Sequence, residues 1–174
     1  ISVSGAFHGR TLGSLSATSP NKYRQGFYPL VPGFKSVEFN NINKIEEVVG
    51  KNKNIAAIIL EPIQGEAGVK FAEKSYLNKI QNICRRNKIL LILDEIQVGL
   101  GRTGKLYCHE HFNLKPDIIC LAKGLGGGLP CGAILANSKI ADFLTPGSHG
   151  TTMGGNPLSM SAGLAYLSQI NKKS

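Results

Sequence analysis

Apolar positions along this chain come in two rhythms that alternate: short unbroken runs, and longer stretches at helical spacing. Residues 1–3, 55–60, 89–93, 118–121 and 133–136 are runs of strand length. Residues 42–49 bring Ile42, Ile45, Val48 and Val49 to one side and predict a helix. Residues 73–87 gather Tyr76, Leu77, Ile80, Ile83 and Cys84 on one face, with Lys74, Asn78, Lys79, Asn82 and Arg86 on the other. A short helix is expected near 138–144, and a longer one over 157–170 with small residues on its packing side. Residues 9–33, rich in Gly, Ser, Pro and Tyr, read as a long functional loop.

Strands that are apolar throughout and separated by helices predict an α/β fold, a mostly parallel sheet with helices on both faces. Such sheets place ligands at the carboxyl ends of their strands. Three of the runs end in ionisable residues: Glu61, Asp94 and Lys123. Delivering charged groups to the edge of a buried sheet is costly unless they pair with one another or with a ligand. This is the strongest purely physical sign of an active site in the sequence.

Composition narrows the field. At 174 residues the chain has the length of one domain. It lacks an apolar run near the roughly 20 residues a membrane helix requires, and its first residues carry no signal-peptide pattern. The expectation is a cytoplasmic protein. Twenty Lys and Arg against eleven Asp and Glu give +9, but the lysines are scattered among asparagines rather than interleaved with aromatics, so a nucleic-acid partner is not expected. The four cysteines form no CxxC pair. Cys108-His109-Glu110-His111 is too tightly spaced for a usual zinc site, and no metal is expected. The chain opens without Met on a strand already under way and closes in Lys172-Lys173-Ser174. A segment of something longer is expected.

Lys123 follows an apolar strand and precedes Gly124, Gly126, Gly127 and Gly128. A lysine in such a low-dielectric place has its neutral amine available for condensation with a carbonyl, and the glycines let backbone approach a bulky ligand. The plainer alternative is a lysine marking the strand's exit to solvent. A Walker-type phosphate loop is excluded, since Gly-Lys-Ser/Thr is absent. Asp94, at its own strand end, suits a protonated heterocyclic nitrogen; its plainer alternative is a turn cap.

Five ordered motifs turn these hints into a resemblance. They are Phe7-His8-Gly9-Arg10-Thr11, Glu61-Pro62-Ile63-Gln64-Gly65-Glu66, the run from Leu93-Asp94-Glu95-Ile96-Gln97 to Gly104, Leu121-Ala122-Lys123-Gly124 and His149-Gly150-Thr151-Thr152-Met153-Gly154. Together they resemble the class III aminotransferases, and within them most closely the acetylornithine enzymes. The resemblance covers essentially the whole chain. It implies the large domain of a fold-type-I enzyme, with residues 1–174 as its central part and with an upstream phosphate-binding loop and a C-terminal small domain outside it. It also implies pyridoxal 5'-phosphate as cofactor.

By the same resemblance, Lys123 condenses with the cofactor and then shuttles protons. Asp94 pairs with the ring nitrogen, with Glu95 beside it at the cofactor. Gln97 bonds the phenolic oxygen side and Phe7 stacks on the ring. Thr152 binds the phosphate from the neighbouring subunit of a homodimer. Arg10 clamps a substrate carboxylate, Thr151 lies near substrate, Glu66 helps gate between the two substrates, and Glu61 supports the cofactor-side network. The implied reaction moves an amino group from N2-acetylornithine to 2-oxoglutarate in arginine biosynthesis. An ornithine or 4-aminobutyrate enzyme, or a truncated non-catalytic relative, is the alternative. The segment alone is expected to turn over little or not at all.

Overall fold

The computed structural model describes residues 1–170; the expected helix end at Lys172-Lys173-Ser174 lies outside them. Among the described residues eight strands are formed: β1 (Ser2–Val3), β2 (Ser36–Val37), β3 (Ala57–Leu60), β4 (Ile63–Gln64), β5 (Lys70–Phe71), β6 (Leu90–Asp94), β7 (Ile118–Leu121) and β8 (Ala133–Ala136). The α-helices are α1 (Leu12–Ala17), α2 (Asn21–Arg24), α3 (Ile42–Lys51), α4 (Lys74–Asn87), α5 (Ser138–Ala141) and α6 (Pro157–Ile170). The main sheet runs β3-β6-β7-β8, with the first two ladders parallel and β8 antiparallel. Ile1 donates to the Ala57 carbonyl and accepts from the Ile59 amide, so the parallel pair β1-β2 continues the sheet beyond β3.

Strand alternation divides the sheet's two faces. Ile58, Leu60, Leu91 and Leu93 point to one side and are buried against Ile45 and Val49 of α3 and Tyr76, Leu77, Ile80 and Ile83 of α4. This is the core, and the helical stripes read from sequence supply its cover. Asn41 caps α3 by accepting from the Lys44 amide, and α4 ends on Lys88 in the left-handed region (φ 56°). On the opposite face Ile59 and Ile92 are only half-buried. They border a cavity of about 700 Å³ together with Gly13, Ser14 and Ala17 of α1. Helices therefore flank both faces, densely on one and only along an edge of the other.

A second small core joins Leu100, Leu121 and Leu125 to Tyr166, Leu167 and Ile170 of α6. Gly163 permits this approach, because a Cβ there would sit 3.2 Å from the Leu125 carbonyl. The region 9–33, expected as loop, contains the short helices α1 and α2. The β4-β5 hairpin was likewise not anticipated.

Candidate active site

The parallel ladder fixes the geometry at the carboxyl ends. Asp94 pairs in register with Cys120, and the Glu95 amide donates to the Cys120 carbonyl at 3.0 Å. Lys123 follows three residues beyond, at the start of a 3-10 turn (Lys123–Gly126) and in the left-handed region (φ 45°). A non-glycine residue held there is uncommon and marks a position that the surroundings over-determine. Asp94 and Lys123 thus stand at the same edge of the sheet, at the ends of adjacent strands.

Asp94 is buried and fully engaged on the protein side. Its Oδ1 accepts from the Ile96 amide at 3.0 Å, and its Oδ2 stands 2.8 Å from His8 Nδ1. His8 is itself buried; its amide donates to the Thr18 hydroxyl, while its Nε2 has no partner. Glu61 completes the cluster, with Oε2 accepting from the Phe7 amide at 3.0 Å. Burial, with a smaller contribution from Asp94's negative charge, pushes the Glu61 carboxyl up to about 7; the Phe7 N–H and the charges of His8 and Lys123 oppose the shift. Glu61 thus feels both Asp94 and Lys123. Burial, then Asp94's charge, raises the Cys120 thiol to about 11, which leaves it protonated and inert near neutral pH.

Two cavities meet here. Asp94, His8 and Cys120 line the 700 Å³ cavity on the open sheet face, and Lys123 lines a neighbouring one of about 410 Å³ with Gln97, Gly99 and Tyr166. Ile96 borders both. Lys123 is exposed, so the low-dielectric setting expected from its strand is not built by the described residues.

The remaining expected residues divide. Phe7 sits beside Glu61 and packs edge-on against Tyr23, ring centroids 5.1 Å apart. Arg10 donates to the Tyr23 carbonyl at 2.8 Å and lies over the Phe27 ring at 5.1 Å. Glu66 accepts from the Tyr23 hydroxyl at 3.4 Å. Gln97 packs against Gly65, where a Cβ would come within 2.5 Å of its Oε1. Thr151 and Thr152 are exposed on the loop before α6, and the Thr151 hydroxyl accepts from the Gly154 amide. Among the described residues, no hydrogen bond joins either threonine to Asp94 or Lys123.

Glu95 is engaged by the chain itself. Its buried carboxylate accepts from the Cys108 and His109 amides at 2.6 and 2.8 Å and lies 2.7 Å from His109 Nδ1. Its oxygens are committed to the 3-10 turn Cys108–Phe112, which they clamp to the end of β6. His109 is drawn into this clamp, and among the described residues no group of three potential metal ligands assembles. His8, Thr18 and Tyr23 were missed as site residues. Their contacts join distant parts of the chain, and only His8, inside the first motif, had a local signal.

A carboxylate backed by a histidine, an amine one strand away and an open cavity at the strand ends define an α/β protein with a ligand site at the sheet's carboxyl edge. The described donor set also suits a pyridinium-type ring beside an aldehyde. Asp94 can face a ring N–H, and Lys123 offers a primary amine with one exposed side.

Comparison with known proteins gives the family. The model for aminotransferase class-III matches residues 1–174, and the chain belongs to that family. It is 52% identical over 172 residues to the acetylornithine aminotransferase of Aquifex aeolicus, covering 99% of this chain and 45% of that protein. It is 50% identical over 168 residues to ornithine aminotransferase 1 of Staphylococcus aureus, covering 96% of this chain and 42% of that protein. A solved ornithine aminotransferase of Toxoplasma gondii, described with partial occupancy of PLP at its active site, superimposes with a TM-score of 0.92 at 37% identity. That match covers 98% of this chain and 40% of the other. The chain spans less than half the length of these relatives. No helix among the described residues is long and apolar enough to cross a membrane.

Proposed function

We propose that this chain carries the cofactor-holding part of a pyridoxal-phosphate-dependent transaminase that takes its amino group from N2-acetylornithine and passes it to 2-oxoglutarate. The observation that carries this reading is the placement of Asp94 and Lys123 at the carboxyl ends of adjacent parallel strands. Bound pyridoxal phosphate supplies an aldehyde for amines and a ring that draws electrons from the substrate Cα.

The chain's own residues do the rest. Asp94, held by His8 and the Ile96 amide, presents a carboxylate to the ring nitrogen and keeps its proton in place. Lys123 would hold the cofactor through its amine and would give or take a proton at the substrate Cα. Phe7 offers a flat face to the ring, Gln97 a carboxamide to the phenolic oxygen, and Glu61 a buried carboxyl that secures the Phe7 backbone. Arg10 takes the substrate carboxylate, Glu66 gates, Thr151 lies near substrate, and Thr152 reaches the phosphate in the partner subunit of a homodimer. Residues 1–174 belong to the large domain, and the enzyme acts in the cytoplasm in arginine biosynthesis.

Acetylornithine as donor is supported by the 52% identity to an enzyme of that name. Ornithine is the second reading, on the strength of the 50% identity to an ornithine aminotransferase. A glutamate-coupled assay on the natural polypeptide carrying this chain separates them. The first reading expects a higher kcat/KM for N2-acetylornithine than for ornithine or 4-aminobutyrate; the reverse order overturns it.

A further inference from the structure

Two loops at the carboxyl edge of the sheet each hold a residue in the left-handed region: Leu100 after β6 (φ 57°) and Lys123 after β7 (φ 45°). Residues other than glycine rarely sit there unless their surroundings over-determine them. One side chain touches both loops. The hydroxyl of Tyr166, in the last turns of α6, donates to the Leu100 carbonyl at 3.1 Å. A Cβ placed on Gly124 would stand 3.4 Å from that hydroxyl oxygen, and one on Gly127 would stand 3.7 Å from the Tyr166 Cβ. The tyrosine therefore lies along the glycine turn that follows Lys123. Its half-buried ring packs with Leu100, Leu121 and Leu125, and it lines the 410 Å³ cavity that Lys123 shares with Gln97.

The Lys123 turn has little of its own to hold it. The Leu125 amide donates to the Ala122 carbonyl and the Gly127 amide to the Gly124 carbonyl, each at 3.0 Å. Four of the next five residues are glycine, the residue with the most backbone freedom to lose. A stiff aromatic body with a polar tip suits the task of holding such a turn from outside. The other loop is already tied down, since the Gly99 amide donates to the Glu95 carbonyl at 2.8 Å and closes the turn that contains Gln97.

We propose that Tyr166 is a positioning residue for Lys123: by bonding the Leu100 carbonyl and packing along Gly124 and Gly127, it braces the loop that carries Gln97 against the turn that carries the amine. The inference rests on the reading of Lys123 as the amine that holds the cofactor. Tyr166→Phe keeps the ring in the small core and removes only the bond to Leu100. The Lys123 turn then opens more often, and the amine spends less time where the cofactor aldehyde can meet it.

The test uses the natural polypeptide carrying this chain, freed of cofactor and then titrated with pyridoxal phosphate. Lys123→Ala comes first and is expected to abolish the adduct fixed by borohydride. An undiminished adduct removes the reading of Lys123 itself. Given that loss, Tyr166→Phe is expected to speed amide hydrogen exchange at Leu125 and Gly127 in the cofactor-free protein about three- to tenfold, the weight of one hydrogen bond. Capture of pyridoxal phosphate, followed by absorbance, is expected to slow by a similar factor, and kcat to fall with it while the amino-donor KM stays nearly unchanged. Unaltered exchange at both amides overturns the brace. Faster exchange with capture and kcat at wild-type values overturns the positioning role and leaves Tyr166 as core packing alone. An unchanged circular dichroism spectrum confirms that Tyr166→Phe is folded.

Discussion

His8 Nδ1 stands 2.8 Å from Asp94 Oδ2, joining residues 86 positions apart in sequence. Both side chains are buried, at 1% and 5% exposure, so the contact is unscreened by solvent. It ties the stretch after β1 to the end of β6 and fixes which way the Asp94 carboxylate faces.

Removing His8 tests that tie. His8→Ala leaves the Asp94 carboxylate with the Ile96 amide as its remaining donor. The expected loss is about 2 kcal/mol of stability, the range for a hydrogen bond to a charged group. Urea denaturation measures it, and affinity for pyridoxal phosphate is expected to fall alongside.

Glu61 sets a pH dependence. Its carboxyl is pushed up from 4.5 to about 7 in the folded chain, mainly by burial. The native state therefore binds more protons than the unfolded state between those values. Stability is then highest below pH 4.5 as far as this group is concerned, falls as pH rises through about 7, and levels off above. The swing is about 3 kcal/mol at most. Denaturation midpoints measured from pH 4.5 to 8 should show this slope in the wild type and a flatter one in Glu61→Gln.

Glu95 is expected to matter for folding. Glu95→Ala strands three N–H groups, two from backbone and one from the His109 ring. A drop of roughly 3–5 kcal/mol follows from leaving such buried groups unpaired, read as a large fall in thermal midpoint. If the substitution spared stability and abolished cofactor binding alone, the clamp assignment would be wrong.

Two glycines near Gln97 predict opposite outcomes. At Gly65 a Cβ meets the far end of the Gln97 side chain at 2.5 Å, which can swing away. Gly65→Ala should leave stability within about 1 kcal/mol while moving Gln97 and weakening the cofactor. At Gly99 a Cβ meets the Glu95 carbonyl at 2.9 Å, which is backbone. Gly99→Ala should cost about 1–3 kcal/mol as overpacking. Paired thermal melts and cofactor titrations distinguish them.

Much of this was legible from residues alone, and the reasons differ by element. The runs ending in Glu61, Asp94 and Lys123 announced β3, β6 and β7 because buried parallel strands are apolar throughout, which makes a terminal charge conspicuous. Helix α4 was legible because its apolar period is long. Helix α1 was hidden: its buried residues are Leu15, Ser16 and Ala17, too few and too small to mark a face. The Glu95 clamp was hidden because its partners Cys108 and His109 lie 13 and 14 residues away. His8 and Tyr23 act through partners 86 and 43 residues away, and no local pattern records such contacts.

The proposed transaminase requires Lys123 as the amine that captures the cofactor aldehyde beside Asp94. Borohydride reduction of the natural polypeptide with pyridoxal phosphate, followed by peptide mass mapping, addresses this directly. The expected result is one stoichiometric adduct, on Lys123, absent in Lys123→Ala and diminished in Asp94→Ala. Label spread over surface lysines, or unchanged in Lys123→Ala, would contradict it.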